Sequence, residues 1–416
     1  MQYKVKSEIG PLRFVITHKP GIEHRYVTPK HLIEKIEKNN TLINNPDYLL
    51  FDDIIQVEKA QQEHEQLYDI LHHFTDGNCY EISDILKIVL KNTLIKNNLI
   101  DECIALDKNL YNNVIDPNLL KSLDIDTLYD TLLSGHYLDK KIFNYPIPNL
   151  IFTRDIAVCI GNTILLTWSK KDVRKRENII AKFIFLHYNA FKNMNVYDFH
   201  SNYPNLSIEG GDILVFDEKR ICIGISERTP IDSINNLAPI IFDEGFETII
   251  AIDLPKKRAL MHLDTIFTRI NDSEVIVFPP IIENNQLSSI YIYKNNDTNP
   301  IKSSKDLICV LKEDGLDITY VKCGSDSKIM QEREQWTDGA NAFALSPGKI
   351  IGYDCNIFTI NELKKSGYIQ LSSKEYIDNY KKFNESSNKF IITIKASELT
   401  RGRGGPRCLT LPIFRI

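Results

Sequence analysis

Residues 155–166 read DIAVCIGNTILL: an acidic residue, an apolar run, the pair Gly161-Asn162 and a second apolar run. Apolar and β-branched residues fill both arms while Gly and Asn supply the turn, so the stretch predicts a β-hairpin. The plan recurs three times, each time opened by a polar residue, in DILVFDEKRICIGI (212–225), DTIFTRINDSEVIVF (264–278) and NAFALSPGKIIGY (341–353).

Helix-like segments separate these hairpins. Residues 173–191 and 361–382 carry apolar side chains at a spacing of three to four residues, and Gly367 is predicted to divide the second segment into two helices. A further strand is predicted at 14–17. Because one ββαβ unit cannot bury its own apolar face, its repetition predicts α/β modules around an axis, with the polar clusters at the centre.

Two segments depart from this plan. Residues 80–142 show helical periodicity without a hairpin turn, which predicts an inserted α-helical subdomain. The catalytic unit would then comprise residues 1–79 and 143–416. Residues 34–47 are polar and end in Pro46-Asp47, a composition that predicts a surface loop.

The overall composition is that of a folded soluble protein, with 43% hydrophobic and 25% charged residues. The net charge of −5 and the lack of a dense basic stretch argue against a nucleic-acid partner. No apolar run approaches the ~18–20 residues of a membrane span, and the N-terminus does not resemble a secretory signal. Eight scattered cysteines without a CxxC pair argue against a disulfide framework and favour the reducing cytoplasm.

The stretch RGRGGPRC, residues 401–408, is the strongest chemical signal in the chain. Its glycines let a ligand approach the backbone closely, and its three arginines are expected to lower the pKa of the Cys408 thiol. An arbitrary cysteine is usually a small buried hydrophobe, but this context favours a nucleophile. An RNA-binding RGG tract is disfavoured, because such tracts are repeated and this one is single.

Polar clusters beside the hairpins supply candidate partners for the thiol. In MHLDT, strand-like alternation would place His262 and Asp264 on one side. Glu209-Gly-Gly-Asp212 opens the second hairpin, and Asp155 opens the first. Taken alone, the histidine cluster is about equally well explained as structural, and the other two are better explained so. A thiol, a histidine and several carboxylates together suit a planar guanidinium, whose paired N–H groups match carboxylates. With no second histidine or cysteine at ligand spacing, no metal site is predicted.

Taken in order, the motifs SEIGPLRFVITHKPG, LFDDI with QQEH, FTRD, EGGD, ERT, HLDT, WxDGxN and RGRGGPRC resemble the arginine deiminase family along essentially the whole chain. The resemblance implies a five-bladed pentein α/β-propeller of ββαβ modules with an inserted helical subdomain. It also implies hydrolysis of free L-arginine to L-citrulline and ammonia through a covalent amidino-cysteine intermediate, without a metal or organic cofactor. The partner would be a small-molecule substrate, and a homodimer is left open.

The resemblance also implies a role for individual residues. The nucleophile falls on Cys408, the acid/base histidine on His262, its paired glutamate on Glu209, and the guanidinium-binding aspartates on Asp155 and Asp264. The implied substrate-binding residues are the α-carboxylate ligands Arg174, Arg228 and Arg403, for which Arg176 is an alternative to Arg174, and the further contacts Asn149 and Phe152.

The chain departs from the family pattern at three places. Leu409-Thr410-Leu411 replaces Met-Ser-Met, Tyr353-Asp354-Cys355-Asn356 replaces YxRN, and the segment before LFDDI is longer. Three alternative functions stay open. They are an amidinotransferase, in which an amine replaces water; a deiminase of another guanidine such as agmatine, which has no carboxylate for Arg228 and Arg403; and a non-catalytic binding module of the same fold.

Overall fold

The computed structural model describes residues 3–38, 41–283, 287, 289–295, 297 and 299–416. Numbered along the chain, the strands are β1 Leu12–Thr17, β2 Lys35–Lys38, β3 Thr41–Asn44, β4 Cys79–Glu81, β5 His136–Tyr137, β6 Lys140–Lys141, β7 Ala157–Ile160, β8 Thr163–Leu166, β9 Asn195–Asp198, β10 Ile213–Leu214, β11 Arg220–Ile225, β12 Thr248–Asp253, β13 Phe267–Arg269, β14 Glu274–Val277, β15 Ile290–Lys294, β16 Ile301–Ser303, β17 Thr319–Lys322, β18 Phe343–Ser346, β19 Lys349–Tyr353, β20 Ile369–Ser372, β21 Phe390–Ile394 and β22 Leu411–Arg415.

The four predicted hairpins are confirmed. The pairs β7–β8, β10–β11, β13–β14 and β18–β19 are antiparallel, as the turn residues require. In each case a later strand pairs in parallel with the second arm: β9 with β8, β12 with β11, β17 with β14 and β21 with β19. A parallel partner needs a long crossover, and each of these connections contains helix. The predicted helical segments 173–191 and 361–382 account for the first and the fourth, and the helices of the other two connections were not assigned from the sequence.

A further sheet joins the two ends of the chain. Strand β1, at the predicted fifth strand, pairs antiparallel with β22 and parallel with β4. Within the described ranges the structure therefore contains five separate sheets that share this strand plan and two separate two-stranded hairpins, and none of them closes on itself. All four residues of β7 and all four of β8 are buried, as expected for strands covered on both faces.

The helices connect and cover these sheets. They are α1 Ile22–Arg25, α2 Val57–Phe74, α3 Ile82–Leu90, α4 Thr93–Tyr111, α5 Pro117–Ser122, α6 Ile125–Ser134, α7 Lys175–His187, α8 Phe199–Asn202, α9 Ile231–Asp243, α10 Pro279–Ile282, α11 Leu307–Glu313, α12 Lys328–Trp336, α13 Ile357–Lys365, α14 Ser373–Asp378 and α15 Tyr380–Glu385. Helix α7 matches the helix predicted within 173–191. The prediction for 361–382 is partly wrong, because β20 lies between the helices on either side of Gly367.

Residues 80–142 are largely helical, as predicted, and contain α3 to α6. The side chains of Asn92, Asp116 and Asp124 cap three of these helices, and Gly135 ends α6 in the left-handed conformation. The expectation that this segment lacks a hairpin is wrong, since β5 and β6 form a short one. Apolar residues of α4 and α7 share one core, so the helical segment packs directly on the first hairpin module.

Residues 34–47 also differ from their prediction. Strands β2 and β3 form an antiparallel hairpin there, with Lys35 opposite Asn44, while residues 39 and 40 lie outside the described part of the chain. In that described part, no helix is both long and apolar enough to cross a membrane.

Candidate active site

Cys408 lies in a cavity between the sheets, with 8% of its surface exposed. Its amide donates to Asn341 Oδ1 at 3.1 Å, and its Sγ lies 3.6 Å from Asp264 Oδ2. Burial raises the pKa of the thiol well above its ordinary value, the Asp264 and Asp155 carboxylates raise it further, and Arg407 lowers it only in part. In the structure as it stands, Cys408 is therefore a neutral thiol at neutral pH.

The expectation that the neighbouring arginines would lower this pKa is confirmed for Arg407 but is wrong for the net shift, which burial and the carboxylates determine. The reason is geometric. Arg401 is 42% exposed and pairs with Asp53 at 2.8 Å. Arg403 stacks on Trp336, with its guanidinium carbon 3.6 Å from the ring centre. Arg407 pairs with the carboxylates of Glu8 and Asp264, and these offset much of the effect of its charge on the Cys408 sulfur.

His262 and Glu209 form a buried pair beside the cysteine cavity. His262 Nε2 lies 2.9 Å from Glu209 Oε2, and His262 Nδ1 lies 3.7 Å from Asp155 Oδ1. Burial opposes charge on the imidazole, but Asp155 and the hydrogen bond to Glu209 more than offset it and raise the pKa of His262 to about 9. Burial likewise opposes ionisation of Glu209, yet Arg228 and His262 hold its pKa well below the usual range. The pair is thus imidazolium and carboxylate at neutral pH.

The local structure at His262 corrects the predicted strand. Residues Leu263–Thr265 form a single 3₁₀ turn before β13, and His262 itself is extended. Thr153–Asp155 and Gly210–Asp212 form equivalent 3₁₀ turns before β7 and β10, and the Gly210–Asp212 turn contacts both of the others. The polar clusters before the first three hairpins are therefore brought together by short turns rather than by strand alternation.

Gly211 allows this close approach. A Cβ atom added there would lie 2.5 Å from His262 Nδ1 and 3.0 Å from Asp155 Oδ1, closer than real side chains pack. Its amide instead donates to Asp155 Oδ1 at 3.1 Å. The glycine pair after Glu209 thus lets three functional groups meet.

The two predicted guanidinium-binding aspartates differ in their free acceptor atoms. Asp155 uses Oδ1 for Gly211 and Oδ2 for Arg174 NH1, at 2.7 Å. Asp264 accepts from Arg407 NH1 at 2.8 Å through Oδ2, while its Oδ1 is buried without a hydrogen-bond partner among the described residues. Asp264 therefore offers an open acceptor beside Cys408.

The side chain of Arg174 is fixed by hydrogen bonds to two protein carboxylates and one backbone carbonyl. It donates to Glu177 at 3.0 Å from Nε, to Asp155 from NH1 and to Asn149 O at 3.2 Å from NH2. The alternative, Arg176, is buried elsewhere and donates to Leu132 O and Tyr145 O. The structure thus places Arg174, and not Arg176, at the site.

Arg228 and Arg403 are less completely paired. Arg228 NH1 lies 3.7 Å from Glu209 Oε1, and its Nε is buried without a hydrogen bond among the described residues. Arg403 reaches Ala259 O at 3.5 Å from NH2, while its Nε and NH1 lack such a partner in the same part of the chain. These nitrogens are donors available to an anionic group.

The remaining predicted residues also line the cavity. Phe152 stacks on Phe51 with ring centres 6.1 Å apart, and Asn149 donates to Leu49 O at 2.6 Å. The full lining is Leu50, Asn149, Phe152, Asp155, Arg174, Arg228, Arg258, Met261, His262, Thr265, Asp338, Arg403 and Cys408. The free space among them is about 20 Å³, room for about one water molecule.

Sequence reasoning assigned no role to two charged lining residues. Asp338 lies in the WxDGxN motif, and its Oδ2 is buried without a partner in the described structure. Burial raises its pKa to about 7, against the opposing charge of Arg403. Arg258 donates to Leu50 O at 2.9 Å and to Asp52 at 3.0 Å. The motif marked Asp338, whereas no pattern in the sequence distinguished Arg258.

Asp155, Glu209 and His262 also form a candidate metal-ligand set, with one donor atom of each within 4.8 Å of the others. Protein cations already reach both carboxylates: Arg174 NH1 lies 2.7 Å from Asp155 and 3.8 Å from Glu209. The raised pKa of His262 further opposes metal binding, which requires a neutral imidazole. The charges of Asp155, Glu209 and His262 therefore suit ion pairs with one another and with Arg174 better than they suit a metal ion.

An α/β protein that buries a cysteine beside an imidazolium–glutamate pair and two aspartates has the groups that cysteine-dependent enzymes use. The family model described as arginine deiminase matches residues 121–415. The arginine deiminase of Mycoplasma capricolum is 32% identical over 99% of this chain and 96% of its own, and that of Borreliella afzelii is 34% identical over 98% and 97%. The chain belongs to the arginine deiminase family.

Proposed function

We propose that this protein hydrolyses free L-arginine to L-citrulline and ammonia, with Cys408 as the nucleophile. The observation that carries the proposal is one cavity lined by groups of both charges. Cys408, His262 and Asp155 line it together with Arg228 and Arg403, whose guanidinium groups present donors without a hydrogen-bond partner among the described residues. Free arginine is a cation at one end and carries a carboxylate at the other.

Binding of the guanidinium begins the proposed reaction. Asp155 and the open Oδ1 of Asp264 accept N–H bonds from the substrate, while Arg228 and Arg403 hold its α-carboxylate. A cation placed between these aspartates favours loss of the Cys408 proton, because it offsets the carboxylates that raise the thiol's pKa. Substrate binding thus helps to form the thiolate.

Cys408 then attacks the guanidinium carbon, and a C–S bond forms. The carbon–nitrogen bond to one terminal amino group breaks, and imidazolium His262 gives that group the proton with which it leaves as ammonia. Neutral His262 next takes a proton from water as the water attacks the same carbon. The intermediate then collapses: its C–S bond breaks, its hydroxyl proton passes to solvent, and citrulline and the Cys408 thiolate are released. Glu209 stabilises the charged ring and holds its orientation.

The finer architecture is also part of this proposal. The repeated strand plan and the mutual contacts of the 3₁₀ turns support a five-bladed ring with the cavity at its centre. The helices α3 to α6 support an inserted subdomain at 80–142, with 1–79 and 143–416 as the catalytic unit. Eight unpaired cysteines suit the reducing cytoplasm.

The test is to incubate the protein with arginine, agmatine and other guanidines, with and without an amine acceptor, and to measure ammonia and the ureido product. Citrulline and ammonia from arginine alone would support the proposal. Product formed only when an amine is present would identify an amidinotransferase, and preference for agmatine would identify a different deiminase. A chelator should leave the rate unchanged if no metal takes part.

Replacing Cys408 gives the most direct prediction. Cys408→Ala removes the nucleophile and should abolish turnover, while Cys408→Ser should nearly do so because a hydroxyl is a far weaker nucleophile than a thiolate. Cys355→Ala, at an exposed cysteine, is the matched control and should keep wild-type activity. More than a few per cent of wild-type turnover in either Cys408 variant would rule out covalent catalysis by this residue.

A further inference from the structure

Arg407 lies entirely inside the protein, immediately before Cys408, with none of its side chain exposed. It donates to Glu8 Oε1 from Nε at 2.7 Å and to Glu8 Oε2 from NH2 at 3.2 Å. On its other side, NH1 donates to Asp264 Oδ2 at 2.8 Å. One guanidinium thus joins a carboxylate near the start of the chain to the carboxylate beside the thiol.

The charge on Glu8 is part of this arrangement. Burial alone would raise its pKa, but Arg407 and Arg154 more than offset that effect and hold it at about 2. Glu8 is therefore ionised at neutral pH, although it is 5% exposed and does not line the cavity. A buried arginine without such a partner would be an uncompensated charge, which is strongly unfavourable.

We propose that Glu8 is a positioning residue of the reaction, acting through Arg407 to orient Asp264 and to balance the positive charge beside Cys408. The inference rests on the proposed function, in which Asp264 grips the guanidinium. Because Glu8 binds two nitrogens of Arg407, only NH1 is directed at Asp264. Asp264 then engages Arg407 through Oδ2 and keeps Oδ1 for the substrate.

Removing the charge of Glu8 should have two effects that a loss of packing would not produce together. Arg407 would be paired with Asp264 alone, so it would neutralise that carboxylate more fully and weaken its grip on the substrate cation. The same unbalanced charge would favour the thiolate of Cys408. In Glu8→Gln we expect KM for arginine to rise roughly tenfold and the titration of the free thiol to move down by about one pH unit.

The experiment compares wild type and Glu8→Gln by two measurements. Alkylation of Cys408 is followed against pH by peptide mapping, which separates it from the other seven cysteines, and KM for arginine is measured in parallel. The matched control is Glu334→Gln, another buried carboxylate, which accepts from the amides of Phe358 and Thr359 rather than from an arginine. It should lose stability but keep the wild-type titration and KM.

A folded Glu8→Gln protein with the wild-type thiol titration and the wild-type KM would overturn the proposal. If that variant does not fold, Glu8→Asp decides, because it keeps the charge but is too short to preserve both bonds to Arg407. It should raise KM without moving the titration, and an unchanged KM would again overturn the proposal. Alkylation needs no turnover, so a wild-type protein inactive on arginine would refute the proposed function while the titration still tests the role of Glu8.

Discussion

Two groups of residues around the cavity differ in how completely their charges are paired within the protein. We call Cys408 with Asp155, Glu209, His262 and Asp264 the cysteine end, and Arg228 with Arg403 the arginine end. At the cysteine end, Glu209, Asp155 and His262 each hydrogen-bond or ion-pair with one another or with neighbouring groups. Among the described residues, the open acceptor at this end is Asp264 Oδ1. At the arginine end, Arg228 Nε and two nitrogens of Arg403 have no hydrogen-bond partner in the same described ranges.

This difference indicates separate tasks for the two ends. A buried donor without a hydrogen-bond partner costs free energy, and a bound ligand can supply the missing partner. The cysteine end is organised in advance, which suits chemistry that depends on fixed charges and distances. The arginine end is incomplete until an anionic group arrives, which suits selection of the substrate. We therefore expect changes to the acid–base pair His262 and Glu209 to lower kcat, and changes at the arginine end to raise KM.

The largest effect in this comparison should come from His262. In His262→Ala no group remains to protonate the departing ammonia or to accept the proton of water, and kcat should fall by about 10²–10⁴-fold. Because the pKa of His262 is raised to about 9, its acid form persists through neutral pH, and wild-type activity should decline as pH rises through that value.

The matched control is His64→Ala, a buried histidine outside the cavity lining, which should cost stability without this loss of kcat. Normal turnover by folded His262→Ala would instead make His262 a packing residue.

Arg403 provides the next test, at the other end. Losing one partner of a desolvated charge pair costs about 2–5 kcal/mol. Arg403→Ala should therefore raise KM for arginine by about 30-fold or more, with little effect on KM for agmatine, which lacks the carboxylate. Arg401→Ala, in the same motif but exposed on Asp53, should change neither constant. An equal loss with both substrates would show that Arg403 acts through the fold or the thiol.

The sequence predicted the hairpins because their signal is local. Alternating or continuous apolar arms around Gly, Asn or Pro turns are decided by neighbouring residues, and each predicted hairpin is present. Strand β20 was missed for the same reason. It spans four residues after Gly367 and buries only Leu371, a pattern too short to separate a strand from the end of a helix.

The sequence marked residues that the structure brings together, but it did not predict the geometry by which they meet. The polar residues before the hairpins do meet, but through 3₁₀ turns, and MHLDT has no signature that separates such a turn from a strand. The directions of the three arginines around Cys408 could not be predicted, because their partners Asp53, Trp336 and Glu8 lie far away in sequence. Arg258 was missed since its role depends on Asp52, likewise distant.

The smallest predicted effect concerns Asp264 and the state of the free thiol. Burial raises the pKa of Cys408, and Asp264 is the largest of the charges that raise it further. Asp264→Asn keeps the size of the side chain but removes that charge, so Cys408 alkylation should titrate at lower pH and arginine should bind more weakly.

Asp212→Asn is the control: Asp212 is equally buried and belongs to an equivalent 3₁₀ turn, but it pairs with Ser226 and the Leu263 amide. Its Cys408 titration should stay near wild type. If the two variants titrate alike and arginine affinity survives in Asp264→Asn, the thiol is kept neutral by burial alone, and the carboxylates at this end serve only to hold the protein's own arginines.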